Sequence, residues 1–282
     1  MRKIIFFILL FAVTAPAEDP GTRSFAFLKI PVSARFAVMN GGSVMWEGRD
    51  CWRSNPAVLG FKGESYASFS QNTWYMSTKQ NAAAFNAGHF GLSWQNYNFD
   101  DVARDATGEK LGDFTDRYGV LSMSYGFKIK RYTAAGVTYK KLNQEIFGGN
   151  YNHSAWDFGF VTQPSRRTAF GAALANIGGK KKIINEDEAL PTSLTAGALQ
   201  KMGRFYLTSE VKLTGYEKIQ YLLGLEFKRQ TNLTLRMGSV YQDDFNLSFG
   251  FGWQDARYFI DFAFLPHGAL NYAYITSVGV RF

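Results

Sequence analysis

Cysteine, histidine and long apolar runs are scarce in this sequence. Its one cysteine, Cys51, cannot form an intrachain disulfide. Its histidines, His89, His153 and His267, are far apart and have no cysteine or carboxylate at metal-ligand spacing, so we expect no metal and no cofactor. Beyond segment 1–17, no stretch approaches the roughly 18 to 20 consecutive apolar residues of a membrane helix, which excludes a helical membrane protein.

Charge of one sign is concentrated only in the basic run Lys180-Lys181-Lys182, which is expected to be a solvated loop. The formal net charge is +8, or +6 without Arg2 and Lys3, and the basic residues are scattered rather than gathered on one face. Proteins that bind nucleic acids concentrate Lys and Arg in a patch or stripe, so we expect no nucleic-acid partner. Proline is also scarce, at 7 residues, whereas aromatic residues make up 17% of the chain. This composition is typical of strands in which apolar and polar residues alternate.

The C-terminal run shows this alternation most clearly. Because successive strand residues point to opposite faces, one row would meet lipid and the other a lumen. The predicted lipid row is Tyr272, Tyr274, Val278, Val280 and Phe282, and the predicted lumenal row is Ala273, Ser277, Gly279 and Arg281. A last strand of this kind is typical of outer-membrane β-barrels. We therefore expect Tyr274, Val278, Val280 and Phe282 to be the assembly signal, with the barrel-assembly machinery and outer-membrane lipids as partners.

The N-terminal residues predict export from the cytoplasm. Arg2-Lys3, the apolar run 4–13 and the small-residue site Ala15-Pro16-Ala17 have the order of a secretory signal peptide. We predict a signal peptide over residues 1–17 and a mature chain that starts near Glu18. No cysteine follows the cut, which argues against a lipid anchor.

Two-residue alternation restarts repeatedly from about Tyr66 onward and predicts fourteen strands. In one of them, Phe245, Leu247, Phe249, Phe251 and Trp253 alternate with small or polar residues. A soluble β-sandwich would show the same alternation. The chain ends and the loop lengths must therefore distinguish a sandwich from a membrane barrel. Short turns alternate with longer loops, chiefly 100–116 and 178–191. Bacterial outer-membrane barrels show this pattern, with short periplasmic turns and longer extracellular loops. The predicted fold is all-β, a transmembrane antiparallel barrel over residues 64–282.

Residues 18–63 lack sustained alternation and are predicted to form a plug inside this barrel. Asn55-Pro56 has the pattern of a short helix start, because Asn caps a helix and Pro suits its first turn. Barrel diameter grows with strand number, and fourteen strands leave a lumen wider than their own side chains fill. An N-terminal lumenal hatch of short helices would occupy that space.

Several motifs resemble the PorV/PorQ family of outer-membrane proteins, within the wider group of FadL-like fourteen-stranded barrels. The N-terminal motifs are Phe27-Leu28-Lys29-Ile30, Ala34-Arg35, Met39, Gly41-Gly42, Asp50 and Asn55-Pro56-Ala57-Val58-Leu59. Two later motifs are Asn176-Ile177-Gly178 with Leu190-Pro191-Thr192, and the stretch from Asp261 through Pro266-His267-Gly268 to Phe282. The resemblance implies a lumenal hatch whose motif residues are Arg35, Asp50, Asn55, Pro56, Ala57 and Leu59. Pro31, Asn40, Trp46 and Val58 depart from the family pattern.

The resemblance leaves two functions open, and the fold alone chooses neither. PorV and PorQ imply an accessory role in type IX protein secretion or surface attachment, with secreted proteins or other secretion-system components as partners. The alternative is FadL-like transport of hydrophobic small molecules, and a purely structural barrel is a third reading. The loop 100–116 is polar and has few large apolar residues with which to bind a lipid, which favours the secretion role.

Charged residues on the inward rows are expected to fix the hatch or to line a path through the barrel. The candidates are Glu210, Lys212, Glu226, Arg236 and Asp261, with Asp157, Lys228 and Arg281 as further members. Catalysis is not expected. The adjacent pair His153 and Ser154 would point to opposite faces of a strand, so the imidazole could not activate the hydroxyl.

Overall fold

A computed structural model describes residues 25–40, 42–45, 49–61, 63–74, 78–104, 107–146, 149–183, 186–215, 217–229, 232–267 and 271–282. The predicted signal peptide, 1–17, lies outside the described residues. No helix in the described part of the chain is long and apolar enough to cross a membrane.

The described residues form sixteen strands and four short helices. The strands are β1 (Tyr66–Thr73), β2 (Lys79–Ala87), β3 (Phe90–Arg104), β4 (Lys110–Lys130), β5 (Thr133–Ile146), β6 (Gly149–Ser165), β7 (Thr168–Ile177), β8 (Lys181–Ile183), β9 (Glu186–Glu188), β10 (Ser193–Met202), β11 (Phe205–Thr214), β12 (Gln220–Lys228), β13 (Leu233–Tyr241), β14 (Phe245–Gln254), β15 (Tyr258–His267) and β16 (Asn271–Arg281). The helices are α1 (Ala34–Met39) and three 3₁₀ helices, Ala26–Lys29, Cys51–Arg53 and Pro56–Gly60.

Fourteen of the strands close into one antiparallel barrel. Each strand pairs with its neighbour in the chain, except that β7 pairs with β10 because β8 and β9 form a separate small hairpin. The barrel closes where β1 pairs with β16, with Phe69 opposite Val278. The predicted fourteen-stranded barrel is therefore confirmed.

The alternating rows face the two sides of the wall as predicted. On β16, Tyr274 and Val278 are exposed on the outside, whereas Ala273 and Ser277 are buried inside. The terminal Phe282 is exposed, and its N–H donates to the carbonyl oxygen of Ser65, one residue before β1 (3.1 Å). Rows of exposed Phe, Leu, Trp and Tyr side chains cover the outside of the other strands in the same way, because the side-chain period of a strand is two.

The two ends of the barrel differ in the length of the connections between strands. Six tight connections, from β2–β3 to β14–β15, lie at the end that carries Phe282, which we call the turn end. The opposite end, the loop end, holds the other connections. The predicted loop 100–116 is wrong, because β3 and β4 stay paired as far as Arg104 and Lys110. Inside the predicted loop 178–191, Ile183 pairs with Glu186 in the small hairpin.

The described part of residues 25–61, here called the plug, packs inside the barrel. Asn55 caps its last helix, since the Asn55 side chain accepts a hydrogen bond from the N–H of Ala57 (3.1 Å) and Pro56 occupies the first turn. This is the helix start that the sequence predicts. The helix α1 packs against β12 to β16, and helix Pro56–Gly60 packs against β4 to β6.

Inward glycines let the plug backbone lie directly against the wall. A Cβ atom on Gly238 would stand 1.8 Å from the carbonyl oxygen of Val38, and one on Gly224 would stand 1.9 Å from that of Met39. Both distances are shorter than any van der Waals contact. An added Cβ would also stand too close to plug atoms at four further wall glycines, Gly126, Gly136, Gly159 and Gly171.

Candidate functional site: a plug between two lumenal cavities

A buried network of charges ties α1 to the wall. Glu226 on β12 accepts hydrogen bonds from Nε of Arg35 (2.9 Å) and Nε of Arg236 (2.8 Å). Asp261 on β15 accepts from Nη1 of Arg236 (2.7 Å) and Nη2 of Arg49 (3.2 Å). Three guanidinium groups therefore share two carboxylates in an enclosed setting, where charge-assisted hydrogen bonds are strong. Arg35, Glu226, Arg236 and Asp261, all predicted site residues, belong to this one network.

Glu210 holds the plug at a second point. The Glu210 carboxylate on β11 is buried and accepts from both the backbone N–H (2.7 Å) and the hydroxyl (2.6 Å) of Ser43. Lys212, two residues further along the strand, lines a cavity beyond this contact. Glu210 is therefore an anchoring point separate from the network around Glu226 and Asp261.

Asp50 joins the plug to the first strand. The carboxylate of Asp50 accepts from the hydroxyls of Ser68 (3.0 Å) and Tyr66 (3.3 Å), and the N–H of Asp50 donates back to the Tyr66 oxygen. Trp52 adds a hydrogen bond from Nε1 to the same oxygen (2.8 Å). Tyr66 and Trp52 were not among the predicted site residues.

Asn55, Pro56, Ala57 and Leu59 are all buried where the last plug helix meets the wall. The Asn55 amide nitrogen donates to Ser43 O (2.7 Å), and Phe160 O and Ala172 O lie at 3.2 and 3.3 Å. One side chain therefore contacts a neighbouring plug segment and two wall strands. The motif residues thus lie at the plug–wall boundary.

The motif Asn176-Ile177-Gly178 coincides with an irregularity between β6 and β7. The strand register shifts between Trp156 and Phe158, and Asn176 adopts a left-handed φ of 58°. The Asp157 carboxylate accepts from the N–H of Asn176 (2.8 Å) and from Lys140 Nζ (2.7 Å). This arrangement is a β-bulge stabilised by lumenal polar groups.

The plug separates two cavities. The loop-end cavity, of about 560 Å³, lies between the apolar plug residues Leu28, Ile30, Val32 and Phe36 and a wall of Ser, Thr, Gln and charged side chains. The turn-end cavity, of about 600 Å³, is lined by Arg35, Arg236 and Arg281 among others. Trp52 borders both cavities and is 2% exposed, with its ring against Gly91. The described part of the plug therefore lies between the two cavities, with Trp52 at their boundary.

His153 and Ser154 point to opposite faces of β6. The Ser154 hydroxyl lies 3.0 Å from the Tyr139 hydroxyl, whereas Nε2 of His153 lies 2.7 Å from Gly179 O and its ring lies near Phe25. The imidazole and the hydroxyl do not meet, as predicted.

Comparisons with known proteins place the barrel among outer-membrane channels by fold. No protein-family model matches the chain, and no curated protein matches it by sequence. Two solved structures with the same fold are those of the Pseudomonas putida toluene transporter TodX (TM-score 0.59, 13% identity) and a Pseudomonas aeruginosa FadL homologue (TM-score 0.63, 10% identity). The aligned part covers 89% of this chain and 96% of TodX, and 90% of this chain and 98% of the FadL homologue.

A mutant of the TodX monoaromatic hydrocarbon channel aligns with a TM-score of 0.63, at 13% identity, over 89% of this chain and 99% of its own. The chain is therefore a closed barrel of the outer membrane of Gram-negative bacteria. More particularly, it has the FadL-like barrel fold.

Proposed function

We propose that this protein admits small apolar or amphipathic molecules across the outer membrane and that the plug controls their passage. The loop-end cavity is the observation that carries this proposal. Its volume of about 560 Å³ lies within the roughly 300–1,000 Å³ typical of small-molecule sites. In outer-membrane barrels the longer loops are extracellular, so this cavity faces the outside of the cell.

The plug presents apolar surface to that cavity. Ile30, Val32 and Phe36 are only half-buried, so part of each side chain remains open to the lumen. An apolar body resting on these residues would remove that surface from water, which is favourable. The plug is thus suited to hold the apolar part of a ligand.

The facing wall offers polar groups to the other part of a ligand. Ser122, Ser124 and Thr138 line the cavity with hydroxyls, and Lys140 and Asp157 add a charged pair (2.7 Å). A few convergent polar groups opposite an apolar surface orient an amphipathic molecule. Two of the structures with this fold are described as a toluene transporter and a monoaromatic hydrocarbon channel, which supports an apolar substrate class here.

Binding of toluene and oleate to the purified barrel in lipid nanodiscs tests the proposal. We expect saturable binding by the wild type and about tenfold weaker binding by the double variant Ile30→Gln and Val32→Gln, because each change removes apolar contact. Phe61→Gln is the matched control, since Phe61 is a half-buried plug residue that borders the turn-end cavity instead. Equal binding by all three proteins, or no binding by the wild type, would refute the proposal.

A role in type IX secretion is the second candidate, and the arrangement of the motif residues favours it. Arg35, Asp50 and Asn55, which carry the resemblance to PorV/PorQ, all fix the plug to the wall. A seated plug would leave the barrel closed while its surface binds exported proteins. Deletion of the gene should then cause retention of proteins with a type IX sorting domain, and normal secretion in the deletion strain would exclude this role.

A further inference from the structure

The turn end of the barrel carries a ring of exposed basic side chains. The expectation that basic residues are scattered is wrong in three dimensions, because five of the six tight connections bring them to this one end. We call this ring the basic collar; its exposed members are Lys130, Arg131, Arg166, Arg167, Arg204, Arg229 and Arg257.

Acidic residues near the collar are already engaged. Asp255 accepts hydrogen bonds from the backbone N–H groups of Tyr258 (2.6 Å) and Arg257 (2.7 Å), which lower the pKa of its carboxyl. Glu64, where the plug leads into β1, pairs with Arg281 (3.3 Å) inside the collar. The seven exposed basic side chains of the collar outnumber these two carboxylates, so the turn end has an excess of positive charge.

Aromatic side chains place the collar at the membrane boundary. Arg257 lies over the ring of Tyr258 (5.7 Å), and Tyr258 begins the lipid-facing row of β15. Arg131 lies over the exposed ring of Tyr132 in the same way (5.2 Å). Aromatic residues mark the level of lipid headgroups, and Arg side chains beside them reach the headgroup phosphates.

We propose that the basic collar binds the phosphate groups of anionic phospholipids in the periplasmic leaflet. Arginine suits this role because the N–H donors of its planar guanidinium group match the geometry of a phosphate. The distribution of charge favours lipid over an acidic protein. The collar follows the wall through the turns from β4–β5 to β14–β15, and a membrane contacts a barrel from every side, whereas a docked protein contacts one side. This inference is independent of what the channel transports.

Native mass spectrometry of the delipidated full-length barrel tests the proposal. The probes are equal amounts of phosphatidylglycerol and phosphatidylcholine with the same acyl chains. We expect the wild type to retain phosphatidylglycerol about fivefold more, a preference of the size that one favourable basic contact with an anionic headgroup provides. The quadruple variant Arg131→Gln, Arg167→Gln, Arg204→Gln and Arg257→Gln should show a clearly smaller preference, because only three of the seven collar side chains remain.

A variant with the same loss of charge at the loop end is the matched control. Its changes are Lys110→Gln, Arg117→Gln, Lys141→Gln and Lys180→Gln, all at exposed positions. Heat-modifiable gel mobility verifies that both variants fold. The control should keep the preference for phosphatidylglycerol.

Three outcomes would overturn the proposal. The first is equal retention of the two lipids by the wild type, and the second is the same loss of preference in the loop-end control. The third is displacement of the lipid by inorganic phosphate at equal concentration, which would mean that the collar recognises the free ion. If the wild type lacks a lipid preference but binds polyglutamate in neutral nanodiscs, the collar belongs to an acidic protein partner.

Discussion

Arg35 of the plug and Glu226 of the wall form a two-pronged ion pair, with Nε to Oε2 at 2.9 Å and Nη2 to Oε1 at 3.1 Å. They are separated by 191 positions in the chain. Both side chains are almost fully buried, and Glu226 also accepts from Arg236 (2.8 Å). One carboxylate thus compensates two buried guanidinium groups, so the seating of the plug depends strongly on it.

Replacing Glu226 by Gln should unseat the plug. The change removes the carboxylate that pairs with Arg35 and one of the two carboxylates that pair with Arg236. Breaking a buried pair costs about 3–5 kcal/mol. We expect faster hydrogen exchange of the α1 amides and a higher ion conductance in planar bilayers. Glu64→Gln is the control, because its pair with Arg281 is exposed on the Glu64 side and worth about 1 kcal/mol or less. Unchanged exchange in the Glu226 variant would show that the pair does not hold the plug.

Gly238→Ala should displace the end of α1. The new methyl group would overlap the carbonyl oxygen of Val38, and overpacking of this kind costs about 1–3 kcal/mol. Gly119→Ala, on β4, meets no atom within 4 Å and should behave like the wild type. Hydrogen exchange of residues 34–40 measures the difference. If both variants exchange alike, the plug does not lie against β13 as described.

Asn55→Ala should loosen the last plug helix. It removes a helix cap, worth about 0.5–2 kcal/mol, and it leaves the carbonyl of Ser43 without its amide donor. We expect trypsin to cleave the plug of this variant faster at Arg49 and Arg53. Asn150→Ala, in an exposed part of the wall, should leave the cleavage rate unchanged. Cleavage at the wild-type rate in the Asn55 variant would contradict the anchoring role.

Trp52→Ala should connect the two cavities. The indole borders both, and its removal leaves space next to Gly91 that water and ions can enter. Single-channel recording should show a larger and steadier conductance. Trp253→Ala is the control, since Trp253 is exposed on the outside of β14 and does not border either cavity. A closed Trp52→Ala channel would mean that other plug residues suffice to separate the cavities.

The wall of the barrel could be predicted from sequence because its signal is local. Rows such as Phe245 to Trp253 repeat every two residues, and this period directly reflects which side of a strand faces lipid. The cap at Asn55 was predictable for the same reason, since Asn and Pro act within one helical turn. The sequence predicts strands shorter than β3 and β4, because the polar residues at their ends resemble a loop. In the structure the backbone pairing continues through these residues.

Contacts between distant parts of the chain were not predictable. Arg35 and Glu226 were both candidates, but no local pattern indicates that they meet. Wall glycines such as Gly224 and Gly238 mark where the plug lies, yet glycine on an inward row is also common for other reasons. The basic collar was not predictable either, because each turn contributes only one or two of its residues.

Uptake by living cells tests the central claim most directly. The wild type and the Ile30→Gln and Val32→Gln double variant would be expressed in a host that lacks its own barrel for hydrophobic uptake, and the entry of labelled toluene and oleate would be measured. Our account predicts saturable uptake with the wild type and slower uptake with the double variant at equal barrel abundance. Wild-type uptake no faster than that of cells without the protein would contradict it.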